Sequence, residues 1–247
     1  MGNILITGAS RGIGAATARV LATKGHNLCI NYNKHKDKAD QLVEQLQLLG
    51  VKAIAVQADV SQDQQVVALF NTFDEHLGPL TGLVNNAGIL LPQMRVEQMD
   101  AQRINRLLTT NITSYFLCCR EAIKRMAVKH GGQGGAIVNV SSAASRLGSA
   151  FEYVDYAASK GAIDTLTIGL SKEVALESIR VNCVRPGFIA TDMHADGGEP
   201  NRIERVKGTI PMGRGGQPEE VANAIAWLLS EEASYVTGSF TEIAGGR

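Results

Sequence analysis

Short apolar runs alternate with stretches of helical periodicity along almost the whole sequence. Residues 4–7 read as a strand, and 13–24 as a helix that Gly25 stops. Strands at 28–30 and 53–56 flank a helix over 36–49, whose apolar stripe is Ala39, Leu42, Val43, Leu46 and Leu49. Ser61 and Gln64 have the spacing of a capping box, which predicts a helix to about His76. Leu83-Val84 continues the sheet. A long helical region over 100–129, a break at 131–135, a buried strand at 137–140, a helix over 156–177 and a strand at 180–184 follow. Pro218 opens a final helix, and 240–243 adds a last strand. Strands separated by helices in this order form a parallel α/β sheet covered on both faces. At 247 residues and 45% hydrophobic content, one domain over 1–247 is expected, with no linker or repeat dividing it. The irregular stretch 191–212, rich in glycine and charge, reads as a substrate lid.

The charge balance excludes some partners. With a formal net charge of zero, neither nucleic acid nor an anionic membrane has an electrostatic claim on the chain. No apolar run is long enough to span a bilayer, and residues 3–6 enter a strand with no leader-like segment before them, so a cytoplasmic protein is expected. Cys29, Cys118, Cys119 and Cys183 form no CxxC pair and read as buried free thiols. The histidines lack metal-ligand spacing, and the site is read as metal-free.

Between the first strand and helix stands Thr7-Gly8-Ala9-Ser10-Arg11-Gly12-Ile13-Gly14. Gly8 suits backbone angles closed to other residues, Gly12 lets the main chain approach a pyrophosphate, and Gly14 lets the helix pack on the sheet. The helix N-terminus offers free N–H groups to phosphate. The fold class is therefore a Rossmann-type, doubly wound sheet binding a dinucleotide.

Other motifs accompany this turn: Asn85-Asn86-Ala87-Gly88 after the fourth strand, Tyr156-Ala157-Ala158-Ser159-Lys160 opening a helix, and Arg185-Pro186-Gly187 followed by Thr191. Together they resemble the classical short-chain dehydrogenase/reductase family over most of the chain, and within it the 3-oxoacyl-carrier-protein reductases and glucose dehydrogenase-like sugar oxidoreductases. The resemblance implies a hydride transfer between a nicotinamide and a carbonyl or alcohol carbon of a small molecule. It implies a homodimer or homotetramer built through the long helices, whose outer faces were read to carry Phe116 and Leu170. It places Ser10, Ile13, Asn33, Val60, Asn86, Ala87, Gly88, Pro186, Gly187 and Ile189 along the cofactor, Asp59 on the adenine and Thr191 on the carboxamide.

NADP(H) is favoured, with NAD(H) possible. Residues 30–36 carry no acid to hold a ribose 2′-hydroxyl, and Arg11 stands beside the phosphate turn. Lys34 and Lys36 either add to this charge or stand as a solvated pair.

A phenol is a poor acid at its ordinary pKa, and a nearby ammonium favours its ionised form. Tyr156 and Lys160, four apart, share a helix face, which gives Lys160 a route to tune Tyr156 as the general acid/base. Ser142, preferred to Ser141, ends the buried strand and would hold the substrate oxygen. The interval from Ser142 to Tyr156 is one residue longer than usual for the family, and that residue is expected to bulge outward. The resemblance puts Asn111 at a helix kink, holding a water that returns protons to Lys160. A catalytically silent NADP(H)-binding sensor of the same fold is the alternative, and the complete Asn111–Ser142–Tyr156–Lys160 set argues against it. Substrate walls are expected from residues 90–95, 143–154 and 191–212, with Leu91, Met94, Phe151 and Met193 as apolar members. Glu152 and His194 are read as solvated loop residues.

Overall fold

Seven parallel strands lie side by side in the computed structural model, which describes residues 2–247. They are β1 (Asn3–Ile6), β2 (Asn27–Tyr32), β3 (Ala53–Gln57), β4 (Gly82–Asn85), β5 (Gly135–Val140), β6 (Ile179–Pro186) and β7 (Phe240–Ile243). Their order is β3-β2-β1-β4-β5-β6-β7. The chain winds outward from β1 in one direction, then returns to start β4 on its other side. The strand ends diverge at that switch point, opening a crevice for a ligand.

Successive side chains of a strand point to opposite faces. Ile4 and Ile6 join one core with Leu28, Ile30, Val84 and Val138, whereas Leu5 joins a second core with Cys29, Leu83 and Ile137. Helices α1 (Gly12–Thr23), α2 (Lys36–Gln47) and α10 (Pro218–Leu229) cover the first core. Helices α3 (Asp63–Leu77), α5 (Ser114–Met126) and α7 (Val154–Glu173) cover the second. Each fully buried Leu, Ile or Phe contributes roughly 1.5–3 kcal/mol, so this two-faced packing is the main support of the site. All four cysteines are free and buried in these layers, and burial raises their thiol pKa values.

Gln217 and Glu220 form the capping box at α10, with Pro218 in the first turn. The box expected of Ser61 and Gln64 does not form. Asp59 Oδ1 takes both the backbone N–H (3.0 Å) and the hydroxyl (2.7 Å) of Ser61, so Ser61 serves the turn and α3 begins at Asp63. The helical region expected over 100–129 is composite. It consists of α4 (Ala101–Leu108), a π-helical turn (Thr109–Thr113), α5 and a short 3-10 turn (Val128–His130). Leu170 packs in the second core and is not on an outer face, whereas Phe116 is 53% exposed. Residues 191–212 form two short helices, α8 (Met193–Asp196) and α9 (Arg202–Val206), and a 3-10 turn (Lys207–Thr209). No helix among the described residues is long and apolar enough to cross a membrane.

Candidate active site

The glycine turn is held by three side chains that brace its backbone. Gly8 and Gly12 lie in the left-handed region, at φ 60° and 57°. A Cβ on Gly8 would stand 2.9 Å from Ala87 Cα, and one on Gly14 2.8 Å from Ala9 Cα. Asn31, buried in β2, accepts from the Gly8 N–H (3.2 Å) and donates to the Ala58 carbonyl (3.0 Å). The Asn86 amide donates to the carbonyls of Thr7 and Gly8, both at 3.0 Å. The Thr7 hydroxyl accepts from the N–H groups of Asn86 (2.9 Å) and Ala87 (3.0 Å). Asn86 thus spends its amide on the turn. Sequence reasoning passed over Asn31 and Thr7, although an asparagine inside an apolar strand is itself a signal of a buried polar bond. Arg11 caps α1 in extended conformation and no side chain bonds the first turn, which leaves its N–H groups facing the crevice. Ser10 is half-buried in the turn, Val60 is buried, and Asn33 is exposed with its carbonyl bonded by the Gln57 amide.

Arg11, Lys36 and Lys38 near this turn are paired, and Lys34 is exposed. Arg11 meets Asp192 at 3.4 Å and also pairs with Asp196, while Lys38 meets Asp192 at 3.5 Å. Lys36 pairs with Asp40 along its own helix, away from the turn. Lys38, which sequence reasoning did not single out, is the lysine that faces residues 191–212.

Tyr156 and Lys160 lie one turn apart on α7, as their spacing predicts. Ser142 follows the end of β5; its hydroxyl accepts from the Ala144 N–H at 3.1 Å, donates to the Pro186 carbonyl at 3.4 Å, and lines the same cleft as the Tyr156 phenol. Ser141 is buried and donates to the Lys160 backbone carbonyl at 3.1 Å. Burial pushes Tyr156 up to about 12, and the neighbouring Ser142 hydroxyl partly offsets this. The same burial brings Lys160 down to about 8. Its nitrogen lies 5.6 Å from the Tyr156 ring centre and donates elsewhere, to the Val140 carbonyl at 2.8 Å and the Tyr115 hydroxyl at 3.3 Å.

Asn111 sits in the π-helical turn, fully buried. Its Oδ1 accepts from the Ile89 N–H (2.8 Å), and its amide donates to the Ile89 carbonyl (3.0 Å) and the Ser159 hydroxyl (3.2 Å). It therefore ties the segment after β4 to α7. Gly88 leaves room beside it, since a Cβ there would lie 3.5 Å from Asn111 Oδ1 and 3.7 Å from Lys160 Nζ.

The family profile described as "Enoyl-(Acyl carrier protein) reductase" matches residues 8–247. The chain is 64% identical over 243 residues to the "Uncharacterized oxidoreductase YgfF" of Escherichia coli strain K12, covering 98% of each. It is 36% identical over 242 residues to the 3-oxoacyl-[acyl-carrier-protein] reductase FabG of Staphylococcus aureus, covering 98% of this chain and 96% of that one. A short-chain dehydrogenase from Burkholderia cenocepacia J2315, solved in complex with NADP, superposes with a TM-score of 0.90 at 30% identity, covering 98% of this chain and 96% of that one. The chain belongs to the short-chain dehydrogenase/reductase family.

As a short-chain dehydrogenase/reductase it is an oxidoreductase of CH–OH and C=O groups, and the family uses NAD(P). The cradle fits such a dinucleotide, because Gly8 and Gly14 stand where a Cβ would meet backbone and the free end of α1 faces the same space. A cleft continues from this cradle past Ser142, Tyr156 and Lys160. Gly187 and Thr191 line it, with Thr191 Cγ2 3.4 Å from where a Gly12 Cβ would stand. Ile189 is buried beside them.

The far wall is Leu90, Leu147, Tyr153, Phe188, Met193 and Arg202. Leu91 and Met94 do not line it, and Phe151 is 73% exposed. The longer Ser142–Tyr156 interval explains Phe151. After the short helix α6 (Ala144–Leu147), Ser149 and Phe151 take left-handed angles of 46° and 69°, and the extra residue is absorbed in an outward loop. Glu152 is half-buried and pairs with Arg202 and with Arg205 (2.7 Å). His194 lines the cleft, and its Nε2 bonds the Ile189 carbonyl at 2.9 Å. Tyr153 falls within the expected wall segment 143–154, whereas Phe188 lies outside the expected segments and nothing local marks it.

Proposed function

We propose that this protein is an NADP(H)-dependent reductase/dehydrogenase of a small carbonyl or alcohol, with Tyr156 as its general acid/base. The observation that carries this reading is that Ser142, Tyr156 and the buried Lys160 ammonium line one cleft beside the glycine turn. Bound NADPH supplies the hydride. Ser142 donates a hydrogen bond to the substrate oxygen as negative charge grows there, and Tyr156 gives that oxygen its proton. Burial keeps Tyr156 protonated at neutral pH, the form that reduction needs. Lys160 then stabilises the phenolate. Protons return through Lys160 and a water held at the π-helical turn that carries Asn111.

Preference for NADP(H) rests on Arg11, on the lack of an acid at the end of β2, and on the NADP bound by the Burkholderia relative. Residues 191–212 act as a lid, since they carry wall residues of the cleft and contact the phosphate turn through Arg11. A homo-oligomer through α5 and α7 would cover Phe116 and Ile168, which are 53% and 43% exposed. Turnover is tested by NADPH absorbance with a panel of aldehydes, ketones, sugars and acyl thioesters. NADPH consumption with at least one class supports the reading; cofactor binding with no turnover on any of them would favour a sensor.

A further inference from the structure

Lys160 has a second phenol beside it. Tyr115 lies on α5, one turn beyond Asn111, and is 1% exposed. Its hydroxyl donates to the Val140 carbonyl at 2.9 Å and accepts from Lys160 Nζ at 3.3 Å. Lys160 Nζ donates to that same carbonyl at 2.8 Å. Ammonium, hydroxyl and carbonyl thus close a triangle at the end of β5. The nitrogen stands between two rings, 5.2 Å from the centre of Tyr115 and 5.6 Å from that of Tyr156.

We infer that Tyr115 is a positioning residue for the reaction, holding the Lys160 ammonium at the end of β5 through its hydroxyl. An ammonium has three N–H groups and no acceptor capacity. Two are committed to Val140 and Tyr115, which aims the third. Burial also makes the ammonium costly unless acceptors surround it. The groups facing it are Tyr115 from α5, Cys183 from β6, and Tyr156 and Asp164 from α7, with Asp164 engaged by Arg185 at 3.0 Å. β5 contributes the Val140 carbonyl, and the segment after β4 contributes Gly88, which has no side chain. Cys183 is buried and held neutral, so Tyr115 is the only side-chain acceptor bonded to the ammonium among the described residues.

The inference rests on the reading of Lys160 as the residue behind Tyr156, and its test separates the two. Tyr115→Phe keeps the ring and removes only the hydroxyl. With one acceptor fewer, the Lys160 ammonium should titrate about one pH unit lower, read by nitrogen-15 NMR of its side chain in the full-length protein. The basic limb of kcat against pH for carbonyl reduction should move down with it, because reduction needs the ammonium. An unchanged Lys160 titration would overturn the inference, as would a kcat lowered by one factor at every pH with that titration unmoved. A titration that falls while the kinetic limb stays would fault the catalytic reading of Lys160 and leave the Tyr115 contact standing. If Tyr115→Phe is unfolded by circular dichroism, the wild type decides. A nuclear Overhauser contact between the Lys160 ammonium and the Tyr115 hydroxyl proton is expected, and its absence in ordered protein would contradict the inference.

Discussion

Arg11 joins the phosphate turn to residues 191–212, pairing with Asp192 at 3.4 Å and with Asp196. The guanidinium that best suits a 2′-phosphate is therefore engaged by two carboxylates. All three side chains are at least one-third exposed, so the pairs together hold the segment by no more than about 1 kcal/mol. A phosphate can compete for the guanidinium with two hydrogen bonds of its own. Arg11→Ala should raise the KM for NADPH about tenfold or more and change that for NADH much less. Equal use of both nicotinamides by the wild type would contradict the preference.

Gly14 is fixed by space. A Cβ there would lie 2.7 Å from the Asn86 amide nitrogen and 2.8 Å from Ala9 Cα. Gly14→Ala should destabilise the protein by about 1–3 kcal/mol and weaken dinucleotide binding, because the helix end must shift. Thermal melting and a fluorescence titration with NADPH check both.

Asp155 precedes the proposed acid and is buried with Arg103, 2.9 Å away on α4. Its other oxygen accepts the Tyr156 N–H at 2.9 Å, so this pair anchors the first turn of α7. Arg103→Met strands a buried carboxylate and should cost about 3–5 kcal/mol. Adding Asp155→Asn should recover part of that loss. A single variant melting like the wild type would show that the pair is dispensable.

Lys160 makes stability depend on pH. Burial brings it from 10.5 to about 8, so the folded state binds fewer protons than the unfolded chain between those values. Its burial costs about 3 kcal/mol below pH 8, and the cost fades as pH rises toward 10.5. Lys160→Met should therefore melt higher than the wild type at pH 7, with an advantage that shrinks by pH 10.

Much of this was legible because it is local. The glycine turn, the YxxxK pair and the Pro218 start of the last helix each occupy a few consecutive residues whose types report their own geometry. Ser61 misled because the same hydroxyl can cap a helix or serve a turn, and Asp59 two residues earlier decided for the turn. Leu170 was read on the wrong face because α7 carries apolar residues around much of its circumference. The role of Tyr115 has no local sign at all. Its partner Lys160 is 45 residues away, and an aromatic residue in a helix reads only as core. Phe188 reaches the cleft by the same kind of long-range packing.

The most direct test of the catalytic assignment is Tyr156→Phe, assayed side by side for NADPH binding and for turnover of the best substrate in the panel. The predicted result is NADPH affinity close to that of the wild type and kcat lower by about 10²–10⁴-fold. Wild-type turnover by Tyr156→Phe would contradict it.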